Sequence, residues 1–145
     1  MTSLIVYDSY FGNTKLIAET IGKEFGADTR TMHVSNFKNS DLNGVGLLIV
    51  GSPISGWKPS EKISAFLLSF GEDQLKGIRV ATFDTRMKII THGDAAKKMS
   101  ETLSNLGAEV IVEPNWFVVT GKEGPLANGE LERAREWARK IKENI

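Results

Sequence analysis

The chain has 145 residues, 41% of them hydrophobic and 25% charged, the proportions of an ordinary folded protein. One domain of that length buries roughly two-thirds of the surface its unfolded chain exposes. Basic and acidic residues number 18 each, so the formal net charge is zero and no overall field recruits nucleic acid or an anionic membrane. Cysteine is absent, which excludes thiol nucleophiles, disulfides, iron–sulfur clusters and thiolate metal sites. No basic segment with a following apolar stretch and cleavage site opens the chain, and no apolar run approaches the length of a membrane span. The expectation is a cytoplasmic protein that does not insert into membranes.

In chain order, strands and helices alternate. Leu4–Tyr7 is a short apolar run, the first strand. From Asn13 the spacing changes: Ile17, Ile21 and Phe25 recur every four residues, and Gly26 follows as a stop. Thr29–Val34 reads as a weaker, alternating strand. Val45–Val50 is continuously apolar, the mark of a strand covered on both faces. Pro59 stands at the start of a second helix with Ile63, Phe66, Leu67 and Phe70 on one stripe, closed by Gly71. Ile78–Phe83 is the fourth strand. Asp94 is the expected N-cap of a third helix that turns Ala96, Met99, Leu103 and Leu106 inward. Glu109–Val112 is the fifth strand, with Trp116–Val119 continuing or flanking it beyond Pro114. The loop Gly121–Gly129 leads to a last helix with Leu131, Ala134, Trp137, Ala138 and Ile141 inward.

Repeated strand–helix alternation implies a parallel sheet with helices on both faces, as a single unit over residues 1–145 without linker or repeat. In such sheets ligands bind beyond the carboxyl ends of the strands, where strand order reverses. The segments at those ends are "DSYFGNT", "GSPISGWKPS" and "DTRMKIITHGD", all long and polar. The segments at the opposite ends, such as "FGADT" and "SNLGAE", are short and plain. Function is expected on one rim.

In "SYFGNT" a helix start offers unpaired amides and the positive end of the helix dipole. Gly12 lets the loop curl those amides around an anion, while Ser9, Asn13 and Thr14 add side-chain donors. The alternative is a plain strand–helix turn with Asn13 as its N-cap. The loop is neither a nucleotide P-loop, since no Gly-Lys-Ser/Thr follows, nor a dinucleotide fingerprint, since GxGxxG is missing. In the second loop Pro53 stiffens the approach to Ile54, Ser55, Gly56 and Trp57. A tryptophan beyond a strand end either packs on its own domain or stacks on a flat ligand. Beside an anion loop, a flat phosphorylated ligand accounts for both. Neither His33, read as a surface or edge residue, nor His92, read as a backbone partner near Asp94, has carboxylates at metal-ligand spacing. Trp137 reads as helix core and Trp116 as edge packing.

The whole chain resembles the short-chain flavodoxin family. "SYFGNT" looks like that family's FMN-phosphate loop, "GSPISGW" matches its second flavin loop, and "FDTRMKIITHGDA" occupies the place of its third. The resemblance implies a flavodoxin-like three-layer αβα sandwich whose five-stranded parallel sheet has the order 2-1-3-4-5. It implies that Ser9, Tyr10, Phe11, Gly12, Asn13 and Thr14 hold the phosphate of FMN. Pro53, Ile54, Ser55, Gly56 and Trp57 would flank the ring, and Asp84, Thr85 and Arg86 would line its pyrimidine side. Three features depart from the family pattern: Tyr10 and Phe11 replace smaller residues, the third loop lacks a Tyr, and the balanced charge contrasts with strongly acidic flavodoxins.

A flavodoxin sets the potential of FMN by binding its oxidised and reduced forms unequally. A carbonyl at Ser55 or Gly56 is placed to accept a hydrogen bond from reduced flavin N5–H, and Gly56 makes the required peptide flip cheap. Arg86 has two alternatives, a contact with the pyrimidine edge or an ion pair with Asp84. The expected function is electron transfer between transient redox protein partners, with oligomeric state left open. A small FMN-dependent oxidoreductase of the quinone or protoporphyrinogen type is the alternative, and a non-redox module that has lost the flavin is a third.

Overall fold

The computed structural model describes residues 2–88 and 93–145, so the reading of His92 lies outside the described residues. The elements are β1 (Thr2–Tyr7), α1 (Asn13–Phe25), β2 (Thr29–His33), β3 (Val45–Ser55), β4 (Lys58–Pro59), α2 (Glu61–Leu68), β5 (Arg79–Met87), α3 (Ala95–Asn105), β6 (Glu109–Val110), β7 (Asn115–Val119) and α4 (Glu130–Glu143), with short 3-10 turns between β2 and β3. The sheet runs β2-β1-β3-β5-β6, with β7 also on β5 and β4 folded back onto β3. Apart from that antiparallel hairpin every pairing between these strands is parallel; an isolated antiparallel bridge joins Val119 to Leu126. Counting β6 and β7 as one position, this is the expected order.

Alternation along the strands sorts the core into two layers. Leu4 and Val6 of β1 face one cluster with Ile63, Phe66 and Leu67 of α2 and Met99 and Leu103 of α3. Ile5 and Tyr7 face the other, with Ile17 and Ile21 of α1 and Ala134, Trp137 and Ile141 of α4. Gly51 on β3 lies opposite Phe83 on β5, and a Cβ there would strike the Phe83 ring. Among the described residues no helix is long and apolar enough to cross a membrane.

Several boundaries differ from expectation: β3 runs past Val50 to Ser55, so that Pro53, Ile54 and Ser55 are strand residues, and four others have a local reason. Pro59 belongs to β4 rather than to a helix; Ser60 caps α2 instead, its hydroxyl accepting from the Ile63 amide. That helix ends at Leu68, and Phe70 beyond it packs edge-on against Phe66. The fifth strand position is split: β6 stops at Val110 and β7 begins at Asn115, with Pro114, which has no amide to donate, in the gap. Most important for the site, β5 runs past Phe83 to Met87. Asp84, Thr85 and Arg86 are therefore strand residues, not loop residues. They are paired by β7, and Asp84 and Thr85 also by β3.

Candidate functional site

The parallel ladders carry β1, β3, β5 and β7 to a common rim, where a cavity of about 480 Å³ opens. That size is within the usual range for small-molecule sites. Ser9, Tyr10, Phe11, Asn13 and Thr14 form one wall, Pro53 to Trp57 a second, and Thr85 and Arg86 a third. Asp84 and Gly12 are not on its surface. Met87, Val119 and Lys122 complete the lining and were not foreseen. The one signal for the last two was a polar, glycine-bearing segment after the fifth strand, at a rim where loops gather function.

The first wall begins with a buried carboxylate. Asp8 Oδ1 accepts from the Ser9 amide at 2.8 Å and is 3.1 Å from His33 Nε2. His33 Nδ1 accepts from the Ser35 amide at 3.0 Å, so a neutral ring carries its proton on Nε2 and donates it to Asp8. His33 is thus partly buried, edge-on to Tyr7, and not a free surface residue. Sequence spacing had no way to pair residues 8 and 33, which meet because β1 and β2 are adjacent.

Gly12, at φ 91°, turns the chain into α1 and donates its amide to Ser9 Oγ at 3.0 Å. Asn13 is not the N-cap: the cap is Gly12, and no side chain caps this helix. The Asn13 amide group instead donates to the Glu123 carbonyl at 3.1 Å, against Gly124, where a side chain would collide with it. The backbone amides of Asn13, Thr14 and Lys15 consequently have no acceptor within their own helix and stand at its positive end. Ser9 Oγ, accepting from Gly12, still has its hydroxyl proton to donate. Thr14 and Thr85 join the first and third walls through their hydroxyls, 2.7 Å apart.

The second wall is a tight hairpin. Ser55 pairs with Lys58, and the two residues between them, Gly56 and Trp57, both have positive φ, 56° and 73°. Such primed turns suit glycine; a tryptophan there costs about 1–2 kcal/mol. Trp57 is 54% exposed as a residue, so it is not buried in the domain. Its backbone is held from outside: Lys98 Nζ donates to its carbonyl at 3.1 Å, and Gly93 lies so close that a Cβ would collide with it.

At the third wall the Arg86 guanidinium takes the ion-pair alternative. Its Nε and Nη2 donate to the two oxygens of Asp84 at 2.8 and 2.6 Å, and Nη2 also reaches Asp94 at 3.1 Å. It lies 4.8 Å over the Trp116 ring, which explains that residue better than edge packing. Burial pushes the Asp84 carboxyl upward, and the bonds from Arg86 and the Ala96 amide pull it only part of the way back. Burial also opposes the charge on Arg86, but its bonds to Asp84 and Asp94 outweigh that and hold it protonated. A strand that buries both residues makes the pair, because an isolated buried charge is far costlier than a paired one.

The rim thus combines neutral anion donors, a mostly apolar slot and an outward aromatic ring. That donor set suits a flat ligand carrying a phosphate. The flavodoxin family profile matches residues 5–137, and the chain belongs to the flavodoxin family. FMN is the cofactor of that family. Among solved structures, oxidised flavodoxin 1 from Bacillus cereus is similar with a TM-score of 0.82 and 18% identity, covering 100% of this chain and 99% of that one. A flavodoxin from the domain Archaea gives 0.80 and 20%, over 99% and 97% of the two chains. The rubredoxin oxygen:oxidoreductase of Desulfovibrio gigas gives 0.79 and 20%, over 97% of this chain but 35% of its own. A comparison with curated proteins found no match. At these identities the solved structures speak for the fold alone.

Proposed function

We propose that this chain holds FMN and carries electrons between redox proteins that bind it transiently in the cytoplasm. One observation carries the reading: an uncapped helix start and an outward tryptophan on a strained hairpin face the same cavity. When bound, FMN supplies the redox chemistry, accepting and releasing electrons. The chain supplies the rest. The amides of Asn13, Thr14 and Lys15, with the Ser9 hydroxyl, seat a phosphate through neutral donors and the helix dipole. Pro53, Ile54 and Trp57 give the slot an apolar, aromatic side for a flat ring. The Ser55–Gly56 peptide lies in a turn where glycine adopts either hand, so turning it to present its carbonyl or its amide to that slot carries little steric cost.

Absorption of the purified protein, followed by a redox titration, tests this directly. The reading expects flavin bands in a one-to-one complex and reversible reduction. A colourless protein that takes up no added FMN would overturn it. Steady turnover of a quinone without any protein partner would favour the oxidoreductase alternative.

A further inference from the structure

All salt-bridged cations among the described residues are arginines, apart from His33: Arg30, Arg79, Arg86, Arg133, Arg135 and Arg139 each meet a carboxylate. No lysine does. Six of the twelve lysines stand where the cavity opens. Lys15, Lys62 and the adjacent Lys97 and Lys98 lie in the first turns of α1, α2 and α3, Lys58 is on the β4 hairpin, and Lys122 lines the cavity mouth. First-turn lysines oppose the helix dipole rather than complement it, so local helix stability does not explain them. The acids nearby are few or already paired: Glu61 and Glu123 are exposed, Asp94 is occupied by Arg86, and Glu130 and Glu132 in the first turn of α4 meet Arg133 and Arg135. A chain of zero net charge has therefore set half of its lysines, none of them paired with a carboxylate among the described residues, on the rim of its site. Inside that ring stand the half-exposed Tyr10, Phe11 and Trp57. An apolar centre with a charged margin is the anatomy of a protein-docking face, in which margin charges set partner choice and encounter rate.

We infer that the partner docking here is an acidic redox protein, one that presents a ring of Asp and Glu around its own electron-exchange site. The inference rests on the electron-carrier reading above. It is the reverse of what an acidic flavodoxin surface would select.

The test uses FMN-loaded, isotope-labelled protein. Adding deca-glutamate should shift backbone amides at the first turns of α1, α2 and α3 and on the β4 hairpin, with deca-lysine giving no response there. In stopped flow, dithionite-reduced protein passes one electron to each ferricyanide, giving ferrocyanide. That rate should fall about tenfold from low to high salt, while a cobalt–phenanthroline trication shows the opposite or no trend. Lys62→Glu with Lys97→Glu, away from the cavity lining, should flatten both responses and keep the flavin spectrum; Lys62→Arg with Lys97→Arg should preserve them. Deca-glutamate shifts scattered over the surface, or a faster cationic probe at low salt, would overturn the inference. So would sedimentation with phosphatidylserine vesicles at physiological ionic strength, which would make the occupant a membrane. Failure to take up FMN removes the electron-carrier reading and the partner with it; FMN uptake with no anion response removes the partner alone.

Discussion

The loop at residues 9–14 and the strand end at Thr85 and Arg86, with Asp84 behind it, border one cavity and are completed in opposite ways. In the loop the chain leaves donors over: Ser9 keeps a hydroxyl proton and α1 begins without a side-chain cap. At the strand end it leaves almost nothing, because Arg86 is taken up by Asp84, Asp94 and the Trp116 ring. The neutral region is the one equipped to take a ligand, and the charged region is equipped to hold the wall. Charge beside a cavity is therefore a poor guide to what binds there unless its partners are known.

That contrast breaks most visibly at Asp84. Asp84→Asn leaves Arg86 buried beside the single exposed carboxylate of Asp94, and should cost about 3 kcal/mol of stability. Urea unfolding reads this, and a loss under about 1 kcal/mol would mean the wall does not depend on the pair. On the ligand side the effects are smaller and fall on affinity. Ser9→Ala should weaken FMN by about 1–2 kcal/mol with little change in unfolding, since it removes one donor from an anion. Trp57→Ala should weaken FMN by roughly 1 kcal/mol and abolish part of the fluorescence quenching on FMN addition. Smallest of all should be the redox effect of removing the pair together, Arg86→Gln with Asp84→Asn. The local net charge is then nearly unchanged, so the one-electron potentials should move by less than about 20 mV, under a threefold change in relative affinity of the redox states. A shift of several tens of millivolts would return Arg86 to a direct role at the ring.

The fold was legible because periodicity carries it. Val45–Val50 and the stripe on α1 leave no alternative to a doubly covered strand and an amphipathic helix, and Asp94 is the cap it promised to be. The rim was legible from its glycines, hydroxyls and tryptophan. What stayed hidden depends on neighbours distant in sequence. A polar "DTR" reads as loop until β7 arrives to pair with it, and nothing in the sequence joins Asp8 to His33 until β2 lies beside β1. Asn13 looks like a cap until the Glu123 carbonyl takes its side chain. Local chemistry announces which groups are available, and tertiary pairing decides which of them remain so.

Titration of the apoprotein with FMN, riboflavin and FAD tests the central claim most directly, because the three share a ring and differ at the phosphate. The account predicts stoichiometric FMN binding, tighter than riboflavin by at least tenfold, since several charge-assisted donors at an open helix start are lost with the phosphate. Riboflavin binding as tightly as FMN would contradict it.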